Sequence, residues 1–559
     1  MRGGRKLVAT LVVVVLVAAP EALAADDAAA AASQDTADRE ALVPDDAALE
    51  AAGARIGEIV LRVGEIFDPE ARGENHWVNR LVNKVHLRTR DSTVRHALLF
   101  KTGDLYRPSR LQESERVLRS AGYLYDAEIR PLRYENGVVD VVVTTRDVWT
   151  LQGEIGYGRG GGANSVHIGI QDKNFLGLGK DLQFRRSSDV DRTSSTFQYQ
   201  DPNLAGGRVR LDLLYSDNSD GSAAAFAVGR PFYSLDARWA SGLRVGNDDR
   251  VDSLYAHGEI DQQFRHRIEF GEISGGWSPG LVGGTAMRRL AGFTFERDRF
   301  ETTELYTDPS LLPGDRTLAY PWVGFESIQD RFVESHDLDL IARTEDLQLG
   351  RVLRGRLGWS STRLGADRDQ AIVDLSGGYG MSPGVGQVLL FSTHAAGRLA
   401  SGNSENLSFG GTARYFWRDW GPHGLSVSFQ GDVAHKLDAE DQLLLGGDNG
   451  LRGYPLRYQS GDRRVLFTVE QRFYTDWHPL KLLRVGAAVF FDVGRAWFRG
   501  DPGSEADGSG ILRDAGFGLR LGSSRSATGS MVHIDLAMPF NGDPSISRYQ
   551  VVVSTKGTF

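Results

Sequence analysis

The chain of 559 residues contains no cysteine, and beyond its first residues it contains no long apolar run. The missing cysteine excludes disulfides and thiolate metal sites. The missing run of about 20 apolar residues excludes an inner-membrane protein built from helices. The formal net charge of -9 argues against general nucleic-acid binding, so no nucleic-acid partner is expected.

Signatures of catalysis and of cofactor binding are also missing. The glycine-rich segment 158–162 lacks the Lys-Ser/Thr pair of a phosphate loop, and we interpret it as a hairpin turn. The sequence has neither a Gly-x-Ser-x-Gly elbow nor a His-Glu-x-x-His zinc signature, and its 12 histidines lack ligand spacing. We therefore predict that the protein is not an enzyme and has no catalytic residue, cofactor or metal site.

The first residues have the order of a secretory signal peptide. A basic start and an apolar run over 7–19 precede the small-residue triplet 22–24. The run is too short to span a bilayer as a helix, which needs about 20 residues. We predict a signal peptide over 1–24 and a mature chain that starts near Ala25. An uncleaved anchor is the alternative.

Two segments precede the longer C-terminal part of the chain. Residues 25–54 are rich in Ala, Asp and Glu without aromatics, which predicts a flexible segment. Residues 55–147 predict a small α+β domain with a strand, two helices (one over Thr93–Phe100) and a hairpin that turns at Asn136-Gly137. A further helix is expected around Trp77–Val85.

Residues 148–559 show short alternating segments between turns rich in Gly, Asp, Asn and Ser. In one segment Val465, Phe467 and Val469 face one side, while Glu470 and Arg472 face the other. Period-two alternation of this kind predicts a transmembrane antiparallel β-barrel, which closes every backbone hydrogen bond within its ring. Alternation alone also allows a soluble sandwich or propeller, and it gives sixteen to twenty strands.

Several motifs resemble known families. The stretch Leu99–Tyr106 resembles part of a POTRA domain. Asn174–Lys180, Asp201–Gly207 and Gly447–Tyr454 resemble the Omp85 superfamily, which includes the BamA/TamA family and bacterial surface antigen D15. The resemblance covers nearly the whole mature chain and implies a sixteen-stranded barrel over 148–559 behind a POTRA-like domain over 55–147.

The segment Leu451-Arg452-Gly453-Tyr454 is similar to a family loop that folds back into the barrel lumen. An arginine there needs an acceptor, because an unpaired charge in a narrow barrel is expensive. Asp492 faces inward by alternation and is similar to the family's Phe-x-Asp motif, so a two-pronged contact with Arg452 is expected. The other expected anchoring residues are Phe490, Gly494, the helper Glu470 and the further inward carboxylate Asp535. A solvated Arg452 is the alternative.

The chain ends on Phe559, which resembles the recognition signal of outer-membrane barrels. It is also compatible with a place in an aromatic girdle at the membrane surface.

The resemblance implies an outer-membrane protein of a Gram-negative bacterium with its N-terminal domain in the periplasm. It would assist insertion or translocation of polypeptides. The expected partners are unfolded outer-membrane or secreted polypeptides, outer-membrane lipid, and periplasmic or inner-membrane accessory proteins. One POTRA-like domain favours an accessory, TamA-like role. The alternative is a passive channel or a structural protein of lipid homeostasis.

A mechanism follows from this resemblance. The hairpin edge, either Tyr123–Leu132 or Val138–Thr145, would pair with a client strand. The barrel seam between Trp149–Tyr157 and Tyr549–Phe559 would open.

Overall fold

The computed structural model describes residues 43–66, 80, 83–84, 86–304, 308–336, 338, 344–400, 402–420, 423–479, 483–503, 509–523 and 530–557. Several predictions lie outside these residues: the signal peptide over 1–24, the flexible segment up to residue 42, most of the helix around Trp77–Val85, and Phe559.

The described N-terminal region forms a small α+β domain. Its elements are α1 (Asp46–Ala51), β1 (Arg55–Gly64), α2 (Asp91–Ala97), α3 (Pro108–Ser120), β2 (Leu124–Glu135) and β3 (Val138–Asp147).

Two boundaries of this domain differ from the sequence prediction. Helix α1 lies inside the segment 25–54 that was predicted to be flexible. The helix is ordered because Asp45 caps its start and Leu49 is fully buried in the domain core. Helix α2 ends at Ala97 rather than Phe100, since Leu98 already has an extended backbone. The ordered domain therefore begins before Arg55.

The sheet of this domain has the order β1-β3-β2. Strand β3 pairs in parallel with β1 and antiparallel with β2. Asn136 and Gly137 both have positive φ, which confirms the predicted hairpin turn. Because β3 is central, the prediction that Val138–Thr145 could serve as a free edge is wrong. Strand β2 is the outer strand of the hairpin.

One apolar core joins the helices to the sheet. Helix α3 starts with Pro108 at its first turn and buries Leu111 and Leu118, two turns apart on one face. These side chains pack in the same core as Val141 and Val143 of the central strand.

The rest of the described chain forms a closed antiparallel barrel. Its strands are β4 (Leu151–Gly160), β5 (Ala163–Asp172), β6 (Asp181–Ser188), β7 (Thr193–Leu204), β8 (Val209–Asn218), β9 (Gly221–Arg230), β10 (Trp239–Ala256), β11 (Glu259–Trp277), its short extension β12 (Leu281–Val282), β13 (Thr285–Thr302), β14 (Arg316–Gln329), β17 (Val352–Ser360), β18 (Gln370–Met381), β19 (Gln387–Ala400), β20 (Asn403–Trp420), β21 (His423–His435), β24 (Arg463–Tyr474), β25 (Leu483–Trp497), β26 (Leu512–Ser523), β27 (Ser530–Pro539) and β28 (Gln550–Gly557).

Apart from the short extension β12, the ring contains 20 strands. The prediction of sixteen is therefore wrong. That figure came from the family resemblance, whereas the residue alternation allowed up to twenty strands, and the structure has the upper number.

The barrel places apolar side chains outside and polar side chains inside. Ile155, Val323 and Phe517 are exposed on the outer surface, whereas Asp492 and Arg520 are buried within the ring. This arrangement reverses that of a soluble domain and is what a barrel surrounded by lipid requires.

Two ribbons lie at opposite ends of the barrel. We call the end at which β4 begins the domain-side mouth, because β3 leads into β4 there. The domain-side ribbon, β15 (Phe332–His336) and β16 (Thr344–Gln348), lies between β14 and β17. The loop between β21 and β24 starts at the opposite, distal mouth and contains β22 (Leu443–Leu445) and β23 (Gln459–Gly461).

Candidate functional site

The loop 436–462, which we call the lumen loop, brings the predicted Arg-Gly-Tyr segment inside the barrel. Leu451 and Tyr454 are fully buried in one apolar cluster with Leu445 of β22 and Leu512 of β26. Gly447 allows the close approach of the two arms of the loop, since an added Cβ would lie 2.4 Å from the Tyr454 carbonyl oxygen.

Arg452 is the centre of a buried charge cluster. Its Nε and Nη2 atoms donate to the two carboxylate oxygens of Asp492 at 2.8 and 3.0 Å. Its Nη1 atom donates to Glu470 at 3.0 Å and to Asp535 at 3.2 Å. The guanidinium carbon lies 3.3 Å from the centroid of the Phe490 ring. Three strands of the wall, β24, β25 and β27, thus hold one side chain of the loop.

Further arginines neutralise the carboxylates around Arg452. Arg520 of β26 donates to Glu470 at 2.8 Å and to Asp535 at 2.5 Å. Arg472 of β24 donates to Glu470 at 2.8 Å. A buried charge is tolerated only with such partners. Glu470 and Asp535 each pair with more than one arginine. Asp492 differs, because in the ion pairs between described residues it pairs with Arg452 alone.

The residues beside Arg452 are fitted to the wall of β26. The Gly453 amide donates to Asp514 at 3.1 Å, and a Cβ on Gly453 would lie 2.7 Å from the Asp514 Cβ atom. The Tyr454 hydroxyl donates to the backbone carbonyl of Arg513 at 2.8 Å and contacts Asn541. This close fit explains why glycine and a hydroxylated aromatic follow the arginine.

The stem of the lumen loop has its own anchor, on other strands of the wall. Asp438 accepts from Arg316 of β14 at 2.9 Å and from Arg398 of β19 at 2.5 Å. Glu440 also accepts from Arg316, at 2.9 Å. The loop is therefore held at both its stem and its tip, and it crosses the lumen between them.

The barrel closes through a short seam between β28 and β4. Among the described residues, the register of this join consists of the single pair Val553 and Arg159. The neighbouring join of β27 and β28 extends from Ser530 and Gly557 to Ala537 and Gln550. Glycine repeats along β4, which weakens pairing because glycine packs nothing against the adjacent strand. A cavity of about 530 Å³ separates the seam from the lumen loop.

The motif Asn174–Lys180 forms a turn that holds the N-terminal domain. The Asn174 amide donates to Thr89 at 2.8 Å, and Thr89 donates through its hydroxyl and its backbone amide to the buried Asp147, both at 2.8 Å. The Gly177 carbonyl accepts from the Arg90 amide and from the Thr93 hydroxyl. These contacts join the start of α2 to the first turn at the domain-side mouth.

The motif Asp201–Gly207 forms the next turn at the same mouth. Asp201 is buried, accepts from the Asn203 amide at 3.0 Å and pairs with Lys180 at 3.1 Å. Arg208 after the turn donates to the carbonyl of Leu98, which follows α2, at 2.6 Å. Both motifs therefore dock the domain, a role that the sequence did not indicate.

Helix α3 makes a third set of contacts, with the turn between β9 and β10. Arg110 pairs with Asp236 at 2.7 Å. Glu113 accepts from the Leu235 amide at 2.6 Å. Burial raises the pKa of Glu113, and the hydrogen bond from Leu235 opposes that shift. Domain docking therefore extends from the turn after β5 to the turn after β9.

Helix α3 also contacts the domain-side ribbon. Arg119 donates to both oxygens of Asp346, at 2.8 and 2.7 Å, and to Glu334 at 2.8 Å. Arg116 pairs with Asp330 at 3.3 Å, and its guanidinium lies 4.1 Å from the Phe332 ring centroid. Burial lowers the pKa of the Arg119 guanidinium, but Asp346 and Glu334 outweigh that effect and raise it.

The structure brings together most of the residues singled out from the sequence. Around the lumen-loop tip they are Leu451, Arg452, Gly453, Tyr454, Phe490, Asp492, Gly494, Glu470 and Asp535. Arg520 and Asp514 were missed, although the alternation of β26 offered a signal for both. The docking contacts of α3 were missed as well, because arginines on a helix surface resemble an ordinary solvated face.

Within the described part of the chain, no group of three or more His, Cys, Asp or Glu side chains is arranged to hold a metal ion. None of its helices has the length and apolar character needed to cross a bilayer.

Comparison with known families assigns both regions. Residues 82–146 match the POTRA model, described as a surface antigen variable number repeat. Residues 378–556 match the Omp85 superfamily domain. These two matches support an Omp85-type barrel preceded by a POTRA domain. This barrel fold indicates localisation in an outer membrane.

The solved structures with a similar chain path include one of BamA and two of CdiB. They are BamA from Haemophilus ducreyi lacking POTRA domains 1-3 (15% identity, 89% of this chain and 85% of that chain, TM-score 0.37), CdiB from Acinetobacter baumannii (13%, 90% and 74%, TM-score 0.43) and CdiB from Escherichia coli (13%, 89% and 76%, TM-score 0.46). These likenesses are too distant to add to the assignment from the family models.

Proposed function

We propose that this protein is an accessory, TamA-like factor that inserts or translocates polypeptides at the outer membrane of a Gram-negative bacterium. Its POTRA domain would lie in the periplasm after removal of a signal peptide over 1–24. The partners would be unfolded outer-membrane or secreted polypeptides and outer-membrane lipid, with periplasmic or inner-membrane accessory proteins. The protein would act without catalysis and without a cofactor.

The observation that carries this proposal is the short seam. A join that pairs through Val553 and Arg159 opens at a lower cost than the long ladders elsewhere in the ring. Its opening exposes two strand edges, and an exposed edge is a template for another strand. A client polypeptide can therefore add to the barrel there and enter the membrane beside it.

The lumen supports transport rather than a permanently open channel. The lumen loop crosses the barrel between its anchors at Asp438 and Arg452, and the domain-side ribbon lies at the opposite mouth. Steady ion conductance through the wild-type protein would favour the passive channel instead.

The first experiment is outer-membrane proteomics after depletion of the protein. Rescue is compared between the intact chain and a chain that lacks 43–147, which removes α1 together with the rest of the POTRA domain. Loss of particular barrel or surface proteins, restored by the intact chain alone, supports polypeptide handling. An unchanged membrane proteome would contradict it, and lipid asymmetry would then be measured.

A second experiment tests the seam itself. The chain has no cysteine, so Arg159→Cys with Val553→Cys can form a disulfide across β4 and β28 without competing thiols. We expect the oxidised protein to lose rescue and to regain it on reduction. The matched control is Val532→Cys with Thr555→Cys across β27 and β28, which should rescue in both states. Equal rescue by the two oxidised pairs would contradict seam opening.

A further inference from the structure

The outer edge of β2 is closed to a new strand along its middle. The Ala127 carbonyl accepts from Arg119 at 3.2 Å, and the Ile129 amide donates to Glu115 at 2.6 Å. Pro131, two residues further along the same edge, has no amide hydrogen to offer. Helix α3 therefore covers the backbone groups that a client strand would need.

The guanidinium of Arg119 serves the strand edge and the ribbon at once. Its Nη1 atom contacts Ala127, while its Nε and Nη2 atoms hold Asp346 and Glu334. Only 9% of the Arg119 side chain is exposed. A strand that takes the Ala127 carbonyl displaces the Nη1 contact of Arg119, the same side chain whose Nε and Nη2 atoms hold the ribbon.

The domain-side ribbon closes part of the barrel mouth. Leu338, Leu347 and Leu349 pack against Val388 and Phe416, on strands β19 and β20.

The ribbon also reaches a distant strand of the ring. The Leu338 carbonyl accepts from Arg472 on β24. Because the ribbon starts between β14 and β17, it extends past five strands of the ring to reach β24.

A cavity of about 1080 Å³ lies between α3, the ribbon and the barrel wall. Its lining combines the aromatic residues Tyr125 and Phe332 with Arg116 and Arg119. It adjoins the start of β2 and faces the lumen, so a segment bound on α3 would already lie at the barrel entrance.

We propose that the ribbon is a displaceable plug, and that Arg116 and Arg119 of α3 form a site for an extended client segment with an aromatic residue followed two positions later by a carboxylate. The ribbon occupies this site with Phe332 and Glu334, which lie on one face of β15 because strand side chains alternate. This inference rests on the proposed function, since it names the client chemistry and the control of its entry.

The plug is tested by charge reversal and exchange in the full-length protein, with ion conductance measured in planar bilayers. Arg119→Asp and Asp346→Arg each remove a charge-assisted contact, so each should raise conductance by about tenfold or more. The double variant restores opposite charges and should return to the wild-type conductance. Arg130→Asp on β2, whose side chain pairs with Glu128 and is 58% exposed, is the matched control and should leave conductance unchanged.

The client site is tested by adding a synthetic peptide of residues 330–336 to the wild-type protein. The peptide should raise conductance, whereas the same peptide with Glu334→Lys should not. Unchanged conductance in both single variants would overturn the plug. Opening by the variants without any effect of the peptide would overturn the client site. Because conductance needs no client protein, a working plug beside an unchanged membrane proteome would reject the proposed function alone.

Discussion

Arg452 in the lumen loop and Arg119 on the POTRA helix are both held by carboxylates, but their surroundings differ. Arg452 and its partner Asp492 are 7% and 0% exposed, and the partners come from three strands of the wall. The partners of Arg119 are more exposed, with Asp346 at 18% and Glu334 at 56%, and both belong to a ribbon. Breaking a buried pair typically costs about 3–5 kcal/mol and exposed pairs contribute about 0–1 kcal/mol, so the Arg119 contacts lie between these two ranges. The first contact suits a permanent anchor and the second a releasable one.

The largest expected effect comes from Arg452→Ala, which removes the anchor and leaves Asp492 buried without its guanidinium. A loss of about 3 kcal/mol or more would raise the open fraction of the lumen loop on the order of 100-fold. The rate of maleimide labelling at Leu445→Cys measures this opening. Arg457→Ala, on the same loop but with a partly exposed pair to Asp191, is the control and should change the rate much less.

A smaller loss is expected from Gly453→Ala, which keeps every charge. The added Cβ would lie 2.7 Å from the Asp514 Cβ atom and 3.0 Å from the Pro539 nitrogen, so the loop tip must shift. Overpacking of this kind costs about 1–3 kcal/mol. Labelling at Leu445→Cys should rise by less than in Arg452→Ala. A rate equal to that of the unsubstituted loop would show that the tip is not closely fitted.

High salt should distinguish the ribbon contacts of Arg119 from the buried cluster around Arg452 without any substitution. At 1 M salt the Debye length falls to about 3 Å, which screens the partly exposed contacts of Arg119 but not the buried cluster. The labelling rate at Leu347→Cys in the ribbon should therefore rise roughly two- to fivefold. This range corresponds to the free energy that exposed ion pairs contribute. Labelling at Leu445→Cys should not change, and an equal rise at both positions would remove the distinction.

A further effect, of pH, concerns Glu115 at the covered edge of β2. Burial raises the pKa of Glu115 to about 7, and the Ile129 hydrogen bond and Arg119 oppose that shift. Because the folded-state pKa lies above the usual value, the charged form is disfavoured in the fold. Stability should therefore increase as pH falls from 8 towards 5.

Hydrogen exchange of residues 124–135 in the full chain, corrected for intrinsic rates, measures this dependence. The Glu115→Gln variant should show a weaker pH dependence than the wild-type protein, because Gln keeps an acceptor for Ile129 but does not titrate. Glu113 and Asp126 titrate nearby in both proteins, so the difference isolates Glu115. Identical pH profiles would refute the assignment.

The sequence predicted the lumen cluster better than the docking contacts, for a physical reason. Strand alternation determines which side chains face inward, so Asp492 and Glu470 could be placed in the lumen from their positions alone. The contacts of Arg119 and Asn174 join segments far apart in the chain, and no local period reports such a pairing. The strand number was wrong for a different reason: sixteen was taken from the family resemblance, whereas the alternation alone allowed sixteen to twenty strands.

The most direct test of the contrast between the permanent anchor at Arg452 and the releasable contact of Arg119 is a labelling experiment with four combined variants. Leu445→Cys and Leu347→Cys are each combined with Arg452→Ala and with Arg119→Asp in the full-length protein, which has no native cysteine. The account predicts that Arg119→Asp exposes position 347 while position 445 stays protected, and that Arg452→Ala exposes position 445. Exposure of position 445 by Arg119→Asp, or continued protection of position 347 in that variant, would contradict it.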